Sequence, residues 1–98
     1  TYIDWKNRRA EVSIYVGEGA AQGKGYGSDA LRTIVRYGFH TVNLHKLYAE
    51  IFAFNEPSVK LFEKAGFKLD GTKREDQYVD GKYWDTHVYS ILAREFKG

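Results

Sequence analysis

Gln22, Gly23, Lys24, Gly25, Tyr26 and Gly27 set three glycines within five positions, between an apolar strand-like run and an apolar helix-like run. Glycine takes positive φ freely and lets a ligand approach the backbone with no Cβ in the way. The helix that follows opens with unpaired N–H groups and a partial positive charge, so this turn is suited to holding a phosphate. The same six residues also read as a plain Gly-rich connection, and a short motif alone does not separate the two. The flanking segments do more to constrain the fold.

Upstream, residues 1–4 read as the end of a strand and Lys6, Asn7, Arg8 and Arg9 as a charged turn. Residues 11–16 alternate, with Val12, Ile14 and Val16 on one side and Glu11, Ser13 and Tyr15 on the other. Downstream, a helix is expected from Ser28 to about Leu44, with Leu31, Ile34, Val35, Phe39 and Val42 as its apolar stripe. Gly38 interrupts that helix at a cost of about 1 kcal/mol against Ala, which close packing on a sheet would justify. Residues 46–54 form the next strand, largely apolar on both faces and so expected inside a sheet covered on both sides. Asn55 is a fitting N-cap for a helix over 56–65, Pro57 suits its first turn and Gly66 its end. Residues 67–78 and 83–92 then flank a hairpin turn at Asp80-Gly81. The order is β-β-α-β-α-β-β, an α/β mixed sheet in which residues 11–53 form a right-handed βαβ unit.

Composition bounds the alternatives. The 98 residues are 43% hydrophobic and 29% charged, as expected of one small globular domain over 1–98. A net charge of +2 without a basic stripe argues against a nucleic-acid partner. The absence of cysteine removes thiolate chemistry and disulfides and is compatible with a cytoplasmic setting. No apolar run approaches the roughly 18 residues of a membrane span, and no leader is recognisable, so a soluble protein with no membrane partner is expected. The chain contains no methionine and begins on a strand-like run, which reads as an incomplete chain.

Two blocks about thirty residues apart carry a family resemblance. Gln22, Gly25 and Gly27 follow an apolar strand and precede a helix. Asn55 and Ser58 lead into Leu61-Phe62-Glu63-Lys64-Ala65-Gly66-Phe67. Together they resemble the GNAT superfamily of N-acetyltransferases, closest in character to the ribosomal-protein N-terminal and polyamine acetyltransferases, over its C-terminal two-thirds and without its opening strand and helices. The resemblance implies acetyl-CoA as co-substrate. Its pyrophosphate would lie on Gln22–Gly27, its pantetheine arm along the backbone of Ile14, Tyr15 and Val16, and Asn55 would meet the arm from the other side. Asn55 serves equally as a plain helix cap, and Lys24 and Lys64 stand as phosphate contacts or as ordinary solvated lysines. No metal is implied, and His40, His45 and His87 have no ligand spacing.

Amine attack on a thioester needs a neutral amine, a path for its proton and stabilisation of the developing oxyanion. By resemblance, Glu11 and Glu50 are the two candidate general bases, against the alternative that each is an ordinary strand carboxylate. Both point away from the Val12 and Ile51 side, so a shared cleft is expected. Phe62 departs from the family pattern, which has a tyrosine there to protonate the leaving thiolate. Tyr15, Tyr48 and Ser58 are its possible replacements. The expected function is acetyl transfer to a primary amine by direct attack, the acceptor being a protein N-terminus, a polyamine or a small molecule. The alternative is a module that binds acyl-CoA without chemistry. The apolar second face of strand 46–54 further suggests a homodimer.

Overall fold

The computed structural model describes residues 3–12 and 26–97, with Tyr26 and Gly27 described by backbone alone. Its strands are β1 (Ile3–Asp4), β2 (Arg9–Glu11), β3 (Lys46–Phe52), β4 (Lys68–Val79) and β5 (Lys82–Leu92). Helix α1 (Tyr26–Arg36) lies between β2 and β3, and α2 (Glu56–Lys64) between β3 and β4. The sheet order is β1-β2-β3-β5-β4; β2 and β3 run parallel and all other neighbours antiparallel. This is the expected order of elements, including the parallel βαβ unit.

Alternation along β3 sets the two faces of the sheet. Leu47, Ala49 and Ile51 are buried, together with Ala10 and Val12 of β2 and Tyr89 and Ile91 of β5. Leu31 and Val35 of α1, Phe39 and Phe62 of α2 complete the same core cluster, so both helices cover this one face. Each such large side chain contributes about 1.5–3 kcal/mol on burial. The opposite face carries Tyr48, Glu50 and Phe52, and neither helix packs over it; Thr86, paired with Phe52, is fully buried there with Asp76 of β4 bonded to it, while Phe52 and Phe54 are each 40% exposed. The expected cover on both sides is therefore present on one side among the described residues.

Helix α1 departs from expectation at its C-terminal end. The α-helix stops at Arg36 and continues as a π turn over Tyr37–Thr41, with Val42 N–H donating to Tyr37 O at 3.0 Å. The buried stripe is Leu31, Val35 and Phe39, an i, i+4 series, which leaves Ile34 outside it at 37% exposure. Gly38 behaves as expected: a Cβ there would lie 3.2 and 3.3 Å from the Leu47 methyl groups.

Turn chemistry agrees with the sequence signals. Gly66 ends α2 at φ +100°, with Phe67 N–H donating to Phe62 O. Asp80 and Gly81 both take positive φ, as a two-residue primed hairpin turn requires.

Candidate functional site

The parallel pair β2–β3 leads to the candidate site. Among the described residues its ladder runs Arg9↔Lys46, Ala10↔Leu47 and Glu11↔Tyr48, with Val12 N–H donating to Tyr48 O at 2.8 Å. On its other side β3 stays paired with β5 as far as Phe52↔Thr86. Tyr48 turns its carbonyl to β2, and Ala53 turns its N–H to Asp85 of β5. By alternation, the backbone polar groups of residues 50 and 52 face the β2 side of β3. A crevice of about 180 Å³ lies there, lined by Val12, residues 49–52, Asn55, Ser58 and Phe62.

Helix α2 supplies the far wall. Asn55 accepts from Ser58 N–H at 3.3 Å through its side-chain oxygen, so the cap role is realised and the same amide lines the crevice. Phe62 is 2% exposed and packs edge-on to Phe67 with ring centroids 4.9 Å apart. It carries no proton to give. Ser58, 5% exposed, brings the one hydroxyl among the described lining residues.

Both candidate carboxylates lie on the uncovered face, because Glu11 pairs with Tyr48 and Glu50 follows it by two residues on the same strand. Glu50 also lines the crevice. It is not alone: Lys73 Nζ of β4 donates to Glu50 Oε2 at 3.1 Å. That hydrogen bond, and then the charge of Glu50, raise the Lys73 ammonium above its usual range; Asp76 and Glu11 add to the effect. Asp76 Oδ2 accepts from Thr86 Oγ1 at 2.8 Å and from Gln77 Nε2 at 3.1 Å. The Gln77 and Thr86 hydrogen bonds hold its carboxyl below the usual carboxylate range.

Sequence reasoning missed Lys73 and Asp76, and a β-bulge is the reason. Lys73 pairs with Thr86 and Gln77 with Trp84, so residues 74–76 lie opposite Asp85 alone. Glu75 takes φ +48° and its N–H donates to Asp85 Oδ1 at 2.9 Å. Bulges re-aim side chains in this way. The only trace in the sequence is the loss of alternation through Lys73-Arg74-Glu75-Asp76-Gln77.

Lys64 is not in the crevice. It lines a separate groove of about 820 Å³ between the helices, with Ser28 and Arg32 of α1, Lys68, Glu95 and Lys97. Lys68 is ion-paired there to Glu95 at 2.9 Å. Ile14, Tyr15, Val16, Gln22, Gly23, Lys24 and Gly25 lie outside the described residues, and Tyr26 and Gly27 enter only as the backbone of the first turn of α1. No cluster of three or more metal-ligating side chains occurs among the described residues, and no described helix is long and apolar enough to cross a membrane.

Comparison with known proteins converges on one family. The model of the acetyltransferase (GNAT) domain matches residues 1–88. An uncharacterised N-acetyltransferase of Bacillus licheniformis, p20, is 34% identical over 96 residues, which is 98% of this chain and 53% of that protein. The spermidine N(1)-acetyltransferase of Escherichia coli is 33% identical over 94 residues, 96% of this chain and 50% of that protein. The chain thus spans about half the length of these curated relatives. Among solved structures, the spermidine N-acetyltransferase of Vibrio cholerae in complex with CoA and spermine superposes with a TM-score of 0.85 at 31% identity, covering 95% of this chain and 54% of that one. A capped helix walling a crevice beside the parallel β2–β3 pair and a family model matching most of the sequence agree: the chain belongs to the GNAT acetyltransferase family.

Proposed function

We propose that this chain carries the acetyl-CoA-binding and catalytic part of an N-acetyltransferase that passes acetyl directly to a primary amine. The observation that carries this reading is the crevice beside β3, lined by Val12, residues 49–52 and Phe62 and walled by Asn55 and Ser58 at the start of α2, a slot suited to an amide-bearing arm. An arm of that kind has alternating amides that a strand edge pairs with as another strand would. The Asn55 amide and Ser58 hydroxyl add polar groups on the α2 side of the crevice. Arg32 of α1 and Lys64 at the C-terminal end of α2 both line the interhelical groove and fit the anionic end of the same molecule.

Glu50 is the favoured base because it lines the crevice, with Glu11 its rival. The carboxylate takes the amine proton, the freed nitrogen attacks the thioester carbon, and the C–S bond breaks to release CoA thiolate. Ser58, the one hydroxyl among the described lining residues, is the candidate to return a proton to that sulfur in place of the missing tyrosine. The acceptor remains a primary amine of unassigned size. Exposed Phe52 and Phe54 support burial of this face in a homodimer, which light scattering of the protein at tens of micromolar would test.

The cofactor reading is tested by calorimetry with CoA on the native protein and on Gly25→Val. A valine obstructs both the required backbone geometry and the phosphate approach, so binding should be lost while the fold is kept. A folded variant that binds CoA unchanged contradicts the assignment. One observation favours a second reading, a module that binds acyl-CoA without turning it over: Phe62 is sealed against Phe67 and supplies no acid.

A further inference from the structure

We propose that Lys73 limits how many positive charges the acyl acceptor carries, its ammonium occupying beside Glu50 the place that a second ammonium of a polyamine would otherwise take. The inference deepens the reading above and rests on Glu50 facing the acceptor.

Three carboxylates share the uncovered face: Glu11 from β2, Glu50 from β3 and Asp76 from the β4 bulge. With Lys73 the group sums to −2, so a cationic amine is attracted to it. Its best site for a second ammonium, the Glu50 carboxylate, is already filled at 3.1 Å by Lys73 Nζ. Asp76 is committed to Thr86 and Gln77, and Thr86 beneath it is fully buried.

A second observation, independent of the carboxylates, points the same way. The face continues into an aromatic row in which Phe52 and Phe54 lie 5.3 Å apart and Phe54 and Trp84 5.4 Å apart. An indole face is the other surface that favours an ammonium. It too is taken from within the chain, by Lys82 Nζ at 5.4 Å from the Trp84 ring. The Glu50 carboxylate and the Trp84 ring are thus each occupied by one of the protein's own lysines, while Phe52 and Phe54 are each 40% exposed. The acceptor that fits is an amine with a single positive charge on an apolar stem.

The test uses the full-length protein and compares kcat/KM for spermidine with that for a simple alkyl monoamine of similar length, in the native protein, Lys73→Gln and Lys73→Arg. Lys73 is half exposed, so neither substitution threatens the fold. Like charges about 4 Å apart in water repel by an amount that corresponds to about a fivefold change. Relieving that repulsion for the second ammonium then predicts about a fivefold rise in the triamine-to-monoamine ratio for Lys73→Gln at low salt. The rise should vanish near 1 M salt, where the screening length is about 3 Å. Lys73→Arg should keep the native ratio. A ratio unchanged in Lys73→Gln, or a change that salt does not touch, overturns the inference. Turnover of neither amine by the native protein overturns the acceptor class and the inference with it. Because the ratio is taken within each variant, it is separable from the role of Glu50, which would fail on its own if Glu50→Gln kept native rates.

Discussion

Asn55 has two expected roles that a pair of substitutions can separate. Its side-chain oxygen caps α2 through Ser58 N–H, and its amide nitrogen lines the crevice with no hydrogen-bond partner among the described residues. Asn55→Ala removes both. Loss of an N-cap costs about 1 kcal/mol, and in a chain of this length that lowers the melting temperature by about 4–8 °C. The cost should be felt in full because α2 has nine residues and holds Phe62 in the core. Asn55→Asp keeps a cap acceptor, placed favourably at a helix N-terminus, but replaces the donor with a carboxylate. Its melting temperature should stay within a degree or two of native, while CoA affinity falls about tenfold, the worth of one hydrogen bond of about 1.4 kcal/mol. Differential scanning calorimetry and CoA titration on the two variants give both numbers. Native CoA affinity in Asn55→Asp would reduce Asn55 to a helix cap, and a native melting temperature in Asn55→Ala would refute the cap.

Other expectations follow from the same contacts. Glu50→Gln should cost about 10²–10⁴ in rate at neutral pH and less at alkaline pH, where the amine is already neutral; a native profile for Glu50→Gln together with a depressed one for Glu11→Gln would move the base to Glu11. Gly38→Val forces a side chain onto Leu47 and should destabilise by about 1–3 kcal/mol in urea, whereas an unchanged midpoint would mean the π turn yields at no cost. Glu95 is held below the usual carboxylate range first by Leu92 N–H and then by the Lys68 ammonium. Its folded pKa is depressed, so its contribution is present above the ordinary carboxylate value and lost as pH falls through the depressed one. Glu95→Ala should therefore flatten the acid side of the stability–pH curve, and parallel curves would contradict this.

The parts of this fold legible in the sequence are those governed by local chemistry. Asn55, Pro57 and Gly66 bound α2 because capping, ring geometry and positive φ are properties of single residues. Asp80-Gly81 sets the hairpin for the same reason. Gly38 was legible as a contact because nothing but close packing justifies a glycine inside a helix. The π turn was not: periodicity at 3.6 residues continues the α-helix through residues 37–41, where the structure widens to a π turn. The Lys73–Glu50 pair was also hidden. It depends on which strands neighbour each other and on a bulge in β4, and a polar strand with no alternation carries no register information. The candidate cofactor turn at Gln22–Gly25 rests on its glycines and on the helix it precedes, since those residues lie outside the described part of the structure.

The central claim, direct acyl transfer from acetyl-CoA to an amine through the crevice walled by Glu50, Asn55 and Phe62, is tested most directly by following thiol release and acetylated amine together in the full-length protein. The account predicts CoA thiol and N-acetyl product appearing in equal amounts, saturable in both substrates, with the rate collapsing in Glu50→Gln while CoA binding is retained. Tight CoA binding with no thiol release across mono-, di- and polyamines and peptide N-termini would contradict it and leave the acyl-CoA-binding module as the function of this chain.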